Sequence, residues 1–497
     1  MSAFTPTEEQ QVVIDILLNS QRLKVVAGAG AGKTETLKQC ATRLASKKVL
    51  YTAFNRDIVK AGSGKFPKNT NCFTSHKLAY DAVAKPYVNR LNESGRMPWR
   101  VKAEVLGITE GVKITRSQFL GAGTLAGLVS EGVENFCRGS EAEIDWHHLP
   151  KIDGLHKSQN YQLRTMLLPY AKRYWEDLRR TDAQGGGRMP FTPNHFRKIW
   201  QLGEPILPYD VVLLDEAQDT AEVFMDVVRR QSAQTVLIGD TAQSVNEWAG
   251  ATNAIEHFNA PELRLTRSFR FGVEVAEEGN KWLSLLRTDM RITGTGHSRV
   301  GDVPNPTAVL TRTNGEAVRQ LMLAQDAGLR VGLAGGKART EITQLCRAAD
   351  DLKRGKGTWV KALMAFTYWD ELQQYAEDEA RDLLPFVRMV DTCGTDTIRS
   401  ALKNLVTVDR ADRVISTAHV SKGLEFRRVK IGEDFTEPVD EHGSPIDPTT
   451  QDIKLAYVAV TRAMQELELG GLAWINDRLP GRARGNPVLP TSDSAGR

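Results

Sequence analysis

The sequence has few cysteines and no long apolar run. Its five cysteines lie far apart and form no C-x-x-C pair, which argues against a disulfide framework or a zinc site and favours a reducing compartment. No stretch reaches the roughly 18–20 consecutive apolar residues that a membrane-spanning helix needs. Residues 1–6 lack the basic and apolar segments of a signal peptide. We therefore expect a cytoplasmic or nucleoid-associated protein with no membrane partner.

Neither sign of charge dominates the composition. The chain has 65 Lys and Arg residues against 61 Asp and Glu residues, a net charge of +4. Such a mild basic excess permits nucleic-acid binding only if the charge is localised. The length of 497 residues, with 41% apolar and 25% charged residues, is typical of a globular protein with several domains. Composition alone therefore leaves the function open.

Residues 23–34 have the pattern of a strand, a glycine-rich loop and a helix. The strand is predicted at residues 23–27 (LKVVA), and the helix from about Thr34. In such a loop backbone N–H groups close on phosphates, a lysine (here Lys33) reaches the outer phosphates, and the Thr34 hydroxyl binds Mg²⁺. Ala27 replaces the first glycine of the usual pattern. The loop residues expected to hold the nucleotide are Gly28, Ala29, Gly30, Ala31 and Gly32.

A second buried strand is predicted at residues 211–214 and ends in two adjacent carboxylates. At the carboxyl end of a strand in an open α/β sheet these side chains lie beside a bound nucleotide. Asp215 would hold Mg²⁺ and Glu216 would polarise the attacking water. A third run, residues 235–238 (TVLI), is typical of a neighbouring strand. These patterns together predict a P-loop nucleotide hydrolase.

Longer boxes go beyond a general nucleotide site. Residues 213–219 read LLDEAQD, residues 50–55 LYTAFN and residues 192–198 TPNHFRK. The first resembles the D-E-x-Q-D box of superfamily 1 DNA helicases of the UvrD/Rep/PcrA type, and the other two are similar to the helicase portion of F-box DNA helicases. Further boxes follow in that family's order. The resemblance implies an α/β fold of two RecA-like parallel-sheet motor domains with helical insertions, and ATP and Mg²⁺ as cofactors.

The resemblance assigns further residues to the nucleotide. Gln10 would read the adenine edge, although a role at the start of a helix remains open, and Phe269 would lie against the base. Gln243 would sense the γ-phosphate, which Arg270 and Arg462 would reach from the second motor domain. Gly423 and Glu425, in a later box, would also approach the nucleotide. The residues with an implied nucleotide contact are therefore Gln10, Gln243, Phe269, Arg270, Gly423, Glu425 and Arg462.

Other boxes resemble those that contact the DNA strand. Trp248 would stack on a base, an interaction worth about 1–3 kcal/mol, unless it is a buried core residue. For His76 a structural role is equally open. Relatives often carry an aromatic residue at the position of Asn246 and an arginine at that of Ala249. The residues with an implied DNA contact are Phe54, Asn55, Thr74, His76, Trp248, His419 and Lys422.

The order of the boxes also predicts the domains. Two motor domains would each be interrupted by an insertion, and the second insertion would be reduced relative to large bacterial relatives. The expected ranges are 1–84 and 201–260 for the first motor domain, 85–200 for its helical insertion, 261–320 and 411–475 for the second motor domain, 321–410 for its reduced insertion and 476–497 for a disordered tail.

The implied function is ATP-dependent 3′-to-5′ translocation on single-stranded DNA with unwinding of duplex DNA. The short second insertion leaves open a translocase with weak unwinding, and a motor subunit of a nuclease or anti-phage complex is a further alternative. Glu216, Gln243 and Arg462 argue against a mere binding switch. Expected partners are single-stranded DNA and junctions with duplex DNA. Protein partners in repair, replication or phage defence remain open.

Overall fold

A computed structural model gives the positions of most of the chain. It describes residues 5–54, 56–92, 97–114, 119–152, 155–245, 254–358, 360, 363–364, 366–378, 380–440 and 442–478, and every structural statement below refers to these residues. Within them, no helix is both long and apolar enough to cross a membrane.

The helices and strands alternate along most of the chain. The strands are β1 (Arg22–Ala27), β2 (Val49–Ala53), β3 (Thr70–Cys72), β4 (Val112–Lys113), β5 (Phe119–Leu120), β6 (Val211–Asp215), β7 (Gln234–Gly239), β8 (Glu262–Leu265), β9 (Arg267–Ser268), β10 (Thr293–Gly294), β11 (Arg299–Val300), β12 (Ala308–Thr311), β13 (Val331–Leu333), β14 (Arg413–Thr417), β15 (Phe426–Ile431) and β16 (Ala463–Glu468). The helices are α1 (Glu8–Leu17), α2 (Lys33–Arg43), α3 (Arg56–Gly62), α4 (Ser75–Val83), α5 (Val88–Asn92), α6 (Trp99–Leu106), α7 (Ala122–Phe136), α8 (Lys157–Arg179), α9 (Pro193–Leu202), α10 (Glu222–Arg229), α11 (Val273–Leu285), α12 (Asn314–Asp326), α13 (Ala338–Lys353), α14 (Trp369–Asp378), α15 (Leu384–Lys403), α16 (Thr450–Val460) and α17 (Ile475–Arg478).

The first sheet contains the predicted nucleotide motifs. Its described strands are all parallel and lie in the order β3-β2-β6-β7-β1-β8. Every residue of β6 is buried, as expected for a strand covered by helices on both faces. The carboxyl ends of β1, β6 and β7 therefore meet at one edge of the sheet, where parallel α/β sheets bind their ligands.

A second sheet has the same character. Its described strands are again all parallel, in the order β11-β16-β15-β12-β14-β13. Its apolar core also includes Ala29, Ala242 and Val245, which follow strands of the first sheet. The two sheets thus pack together at the phosphate loop. The predicted fold class, two parallel-sheet units of a P-loop protein, is confirmed.

Helices fill the connections where insertions were expected. Helices α5–α8 lie between β3 and β6 and share one apolar core with one face of the first sheet. Helices α13–α15 lie between β13 and β14 and form a separate core with α12.

The observed sheets divide the chain differently from the predicted domains at two points. β8 pairs with β1 of the first sheet, although the second motor domain was predicted to start at residue 261. β13 pairs with β14 of the second sheet, although residues 321–410 were assigned to the insertion. These strands have only four and three residues, so their periodicity is too short to indicate a sheet, and their pairing depends on distant neighbours.

Candidate active site

The phosphate loop joins β1 to α2 through two left-handed glycines. Gly30 and Gly32 have φ angles of 72° and 75°, a region that residues with a Cβ rarely adopt. A Cβ on Gly30 would also lie 2.6 Å from the Cβ of Arg270, which follows the short strand β9. The loop can therefore turn into the helix only with glycine, and its glycine backbone lies directly against Arg270.

Thr34 and Asp215 converge beside this loop. The Thr34 hydroxyl donates to Asp215 Oδ2 over 2.7 Å, and the Tyr51 hydroxyl donates to the same oxygen over 2.9 Å. Adjacent oxygens around an octahedral Mg²⁺ lie about 2.9 Å apart, since the bonds are 2.0–2.1 Å long. The separation of Thr34 Oγ1 and Asp215 Oδ2 therefore fits two neighbouring ligands of the predicted Mg²⁺.

The ammonium of Lys33 and the carboxylates beside it compensate each other's charge. Lys33 Nζ lies 3.3 Å from Glu216 Oε1. Burial would lower the pKa of Lys33, but Glu216, Asp240 and Asp215 raise it. Burial would likewise raise the pKa of Glu216, yet Lys33 and Gln218 lower it. For Asp215, burial and then Glu216 raise the pKa. Lys33 is thus held charged and Glu216 ionised, and the carboxylate oxygens of Asp215 are ligands of the kind that a divalent cation takes.

Glu216 has an unusual backbone. Its φ of 49° and ψ of 45° are left-handed, a conformation that is strained for a residue with a side chain and that clusters at functional sites. Gln218 Nε2 donates to Glu216 Oε2 over 2.6 Å, while Gln218 Oε1 accepts from the Asp240 N–H over 3.1 Å. Gln218, which sequence reasoning did not assign, therefore fixes the carboxylate of Glu216 relative to the next strand.

The second sheet supplies an arginine to the same place. Arg462 is 1% exposed, and its Nη2 donates to Gln243 Oε1 over 3.0 Å. Gln243 Nε2 donates in turn to Asp240 Oδ2 over 2.7 Å. Burial, and next the neighbouring Arg270, lower the pKa of Arg462 to about 9. Gln243 thus links the end of β7 to an arginine at the end of α16.

Three further contacts between the sheets were not predicted. Lys422 Nζ donates to Asp219 Oδ1 over 2.6 Å. The Tyr457 hydroxyl accepts from the Ala29 N–H over 3.2 Å and lies 3.3 Å from Asp240 Oδ2, to which it donates. Tyr457 lies five residues before Arg462 and Asp219 three residues after Glu216, but their partners are about 200 or more residues away along the chain. Only the fold reveals these pairs.

A cavity of about 220 Å³ joins most of the predicted catalytic groups. Arg270 enters it from the second sheet side, where its Nε donates to Glu425 Oε1 over 2.7 Å and its Nη1 to the Thr461 carbonyl oxygen over 3.1 Å. The cavity is lined by Lys33, Phe54, Ile58, Glu216, Asp219, Gln243, Arg270, His419, Lys422, Gly423 and Arg462. Residues predicted to contact the nucleotide and residues predicted to contact DNA therefore share one space.

The two residues predicted to contact adenine lie on either side of Gly32. Gln10 is buried, and its amide already has partners within the chain: Oε1 accepts from the Thr7 N–H over 3.0 Å and Nε2 donates to Thr36 Oγ1 over 3.2 Å. Phe269 is 52% exposed, and its N–H donates to the Gly30 carbonyl oxygen over 2.9 Å. Phe269 thus presents an open ring beside the loop, whereas Gln10 serves the start of α1.

The residues predicted to contact DNA fall into two groups. Phe54, His419 and Lys422 line the cavity. Thr74 instead caps α4 by accepting from the Lys77 N–H over 3.2 Å. Asn55 and Trp248 lie outside the described residues.

His76 is tied to the helical insertion. Its Nε2 lies 2.9 Å from Asn194 Oδ1 on α9. Burial, and next the charge of Arg197, lower its pKa to about 4, so the imidazole is neutral at physiological pH. These contacts are those of a structural histidine, and any contact with DNA would be made without a positive charge.

Comparison with known proteins gives the site a family context. A protein-family model described as an AAA domain matches residues 10–249. F-box DNA helicase 1 of Gallus gallus is 28% identical over 496 residues, which cover 92% of this chain and 48% of that protein. F-box DNA helicase protein 1 of Schizosaccharomyces pombe is 28% identical over 511 residues, which cover 93% of this chain and 57% of that protein. The chain resembles the superfamily 1 helicases.

This resemblance agrees with the family that the boxes indicate. Because the similarity covers more than nine-tenths of the chain, it includes both parallel sheets and the connections between them. The chain spans about half the length of these two curated relatives. The similarity therefore concerns the part of each relative that corresponds to the two sheets and their helical connections.

Proposed function

We propose that this chain is an ATP-dependent motor that moves 3′-to-5′ along single-stranded DNA and unwinds duplex DNA. One observation carries the proposal: two parallel sheets line opposite sides of one cavity. The first sheet contributes Lys33 and Glu216, and the second contributes Arg462. Arg270 follows the short strand β9 and is held on the side of the second sheet by its bonds to Glu425 and Thr461. Arginines supplied across an interface stabilise the charge of a transferring phosphoryl group and make closure of the interface depend on that group.

Each side chain has a distinct task in ATP hydrolysis. Lys33 would neutralise the outer phosphates, and the ionised Glu216 would orient the attacking water and accept its proton. Mg²⁺, held by Thr34 and Asp215, would neutralise charge on the β- and γ-phosphates. The arginines would act on the γ-phosphoryl oxygens, where charge develops. The residues would position the reactants and stabilise the developing charge, which together account for almost all catalysis of phosphoryl transfer.

The effect of ATP hydrolysis would be transmitted to the DNA contacts through hydrogen bonds that join the two sheets. Gln243 bonds to Arg462, and its carbonyl oxygen also accepts from Lys422 Nζ. Loss of the γ-phosphate would remove the anion that holds the two arginines and so allow these contacts to separate. Since Lys422, His419 and Phe54 line the same cavity, opening would change the grip on a strand beside them. The 3′-to-5′ direction of movement is implied only by the resemblance to superfamily 1 helicases.

The decisive test is DNA-stimulated ATPase and strand displacement on duplexes with a 3′ tail, a 5′ tail or blunt ends. We expect ATP-dependent displacement on the 3′-tailed duplex and little on the others. Displacement of the 5′-tailed duplex alone would reverse the proposed direction. Absence of DNA-stimulated ATPase would contradict the proposed motor itself.

A translocase with weak unwinding is the second candidate. It is favoured by the small second connection, in which the described helices between β13 and β14 are α13, α14 and α15. Removal of streptavidin from a biotinylated single strand measures translocation without a duplex. Efficient removal together with poor strand displacement would favour the translocase over the helicase.

Phe54→Ala should weaken single-strand binding while basal ATPase persists. Phe54 is 56% exposed and follows β2 at the cavity, so its ring is available to stack on a base. Base stacking is worth about 1–3 kcal/mol on alanine substitution, which corresponds to about 5-fold to 150-fold weaker binding. Fluorescence anisotropy with labelled oligothymidine measures this.

Phe119→Ala is the matched control for this experiment. Phe119 is 65% exposed and lies in β5 of the helical insertion, so its loss should leave binding unchanged. Equal affinity of the Phe54 variant and wild type would show that the strand is held elsewhere.

A further inference from the structure

Two adjacent histidines and a glutamate meet in the connection between α7 and α8, outside the cavity described above. Glu141, His147 and His148 each place one ligand atom within 4.8 Å of the others. His147 Nε2 lies 3.9 Å from Glu141 Oε1, and His148 Nε2 lies 3.5 Å from Glu141 Oε2. Both imidazoles therefore direct their Nε2 atoms at the Glu141 carboxylate.

Asp145 holds the opposite nitrogen of both rings. His147 Nδ1 lies 3.3 Å from Asp145 Oδ2, and His148 Nδ1 lies 3.1 Å from the Asp145 carbonyl oxygen. Metal-binding histidines almost always donate their other ring N–H to a carboxylate or a carbonyl oxygen. The Asp145 N–H also donates to His148 Nδ1 over 3.0 Å, and an ion bound at Nε2 would replace this bond by one from Nδ1–H to the Asp145 carbonyl oxygen. Asp145 thus has the position of an outer partner to both ligands.

His148 gives an independent indication of a missing ligand. The residue is 6% exposed, and its buried Nε2 makes no hydrogen bond of normal length in the described part of the chain, since the Glu141 carboxylate lies 3.5 Å away. A buried polar atom without a partner costs about 1–3 kcal/mol, and such atoms in native proteins call for an explanation such as an ion. A cation between His148 Nε2 and Glu141 would provide that partner.

We propose that Glu141, His147 and His148 bind a divalent transition-metal ion, with Zn²⁺ as the best fit. Zn²⁺ takes nitrogen and carboxylate oxygen ligands at about 2.0–2.2 Å in tetrahedral geometry, which places neighbouring ligand atoms about 3.3–3.6 Å apart. The distances of 3.5 Å and 3.9 Å to the carboxylate are close to this spacing. The expectation from the sequence that zinc is absent depended on cysteine spacing and did not consider this imidazole pair.

The ion would fasten a connection that braces the helical insertion. Lys198 of α9 donates to the Gly139 and Glu141 carbonyl oxygens over 2.9 Å and 2.5 Å. The Arg138 carbonyl oxygen accepts from the Val223 N–H at α10 over 2.9 Å. The connection therefore already touches helices that flank β6. A metal bond between its two ends, Glu141 and the histidine pair, would stiffen this support.

Cobalt binding to the full chain, prepared without a histidine tag and without nucleotide, tests the proposal. We expect one equivalent of Co²⁺ with visible absorption bands of tetrahedral coordination, displacement by Zn²⁺, and a higher thermal unfolding midpoint with Zn²⁺. Glu141→Gln and His147→Gln should each weaken binding at least 10-fold, since loss of an outer partner alone typically costs 10–100-fold.

The controls separate this site from the ATP site and from the surface. Glu141 and His147 have side chains 47% and 46% exposed, so their variants should fold, which circular dichroism checks. His297→Gln, at an exposed histidine outside the cluster, should bind Co²⁺ like wild type. Absence of saturable Co²⁺ binding, or wild-type affinity in both cluster variants, would overturn the proposal. Neither outcome depends on DNA unwinding.

Discussion

Lys33→Ala should abolish ATP turnover. Lys33 is the cation beside three carboxylates, and Glu216, Asp240 and Asp215 together raise its pKa. Without the ammonium, the outer phosphates of ATP would meet these carboxylates with one positive charge fewer. Loss of one preorganised group that stabilises transition-state charge costs about 10²–10³-fold in kcat, and here ATP binding should weaken as well. Steady-state ATPase with saturating single-stranded DNA measures the loss.

Lys38→Ala is the matched control for Lys33. Lys38 lies on the same helix, α2, but pairs with Glu35 at the surface, so its replacement should leave turnover near wild type. Thermal unfolding of both variants checks that the helix persists. DNA-stimulated turnover retained by the Lys33 variant would remove the phosphate-loop assignment.

Glu216→Gln should still bind ATP and DNA but hydrolyse ATP slowly. The glutamine oxygen can keep the hydrogen bond from Gln218, so the geometry survives, but an amide cannot accept the proton of the attacking water. Loss of a positioned general base costs about 10²–10⁴-fold. The variant should therefore accumulate with bound ATP and remain closed on DNA. Rapid-quench ATP hydrolysis and filter binding of single-stranded DNA with ATP measure the two halves of this expectation.

Glu104→Gln serves as the control for Glu216. Glu104 is an exposed residue of α6, far along the chain from the nucleotide motifs, and should not affect hydrolysis. If the Glu216 variant turned over ATP at the wild-type rate, another group would have to activate the water.

The sequence predicts the central strands better than the outer ones. Residues 23–27, 211–214 and 235–238 are short, mainly apolar runs that are largely buried, and the structure places them in β1, β6 and β7. β8 and β13 were assigned to the wrong unit because a strand of three or four residues carries little pattern of its own. Which sheet such a strand joins depends on partners far away in the chain.

In the site, too, residues within a local motif can be predicted, whereas contacts between distant parts of the chain cannot. Lys33 and Thr34 are recognisable because the phosphate loop is a local spacing rule, and Asp215 and Glu216 because they end a buried strand. Tyr457 and Asp219 could not be paired with Ala29 and Lys422 in advance, since these contacts join the two sheets. The sequence also does not show whether a side-chain amide is free or already hydrogen-bonded within the chain, as that of Gln10 is.

Gln243 joins the two sheets through a single rigid group. Its carboxamide is planar, with the nitrogen bonded to Asp240 and the oxygen bonded by Arg462, so one torsion angle governs both hydrogen bonds. Rotation of this group would release both partners together, and an exchange of its nitrogen and oxygen would set donor against donor at Arg462 and acceptor against acceptor at Asp240. We therefore expect both hydrogen bonds of Gln243 to break in one step when the two sheets separate, and not by gradual lengthening of one bond.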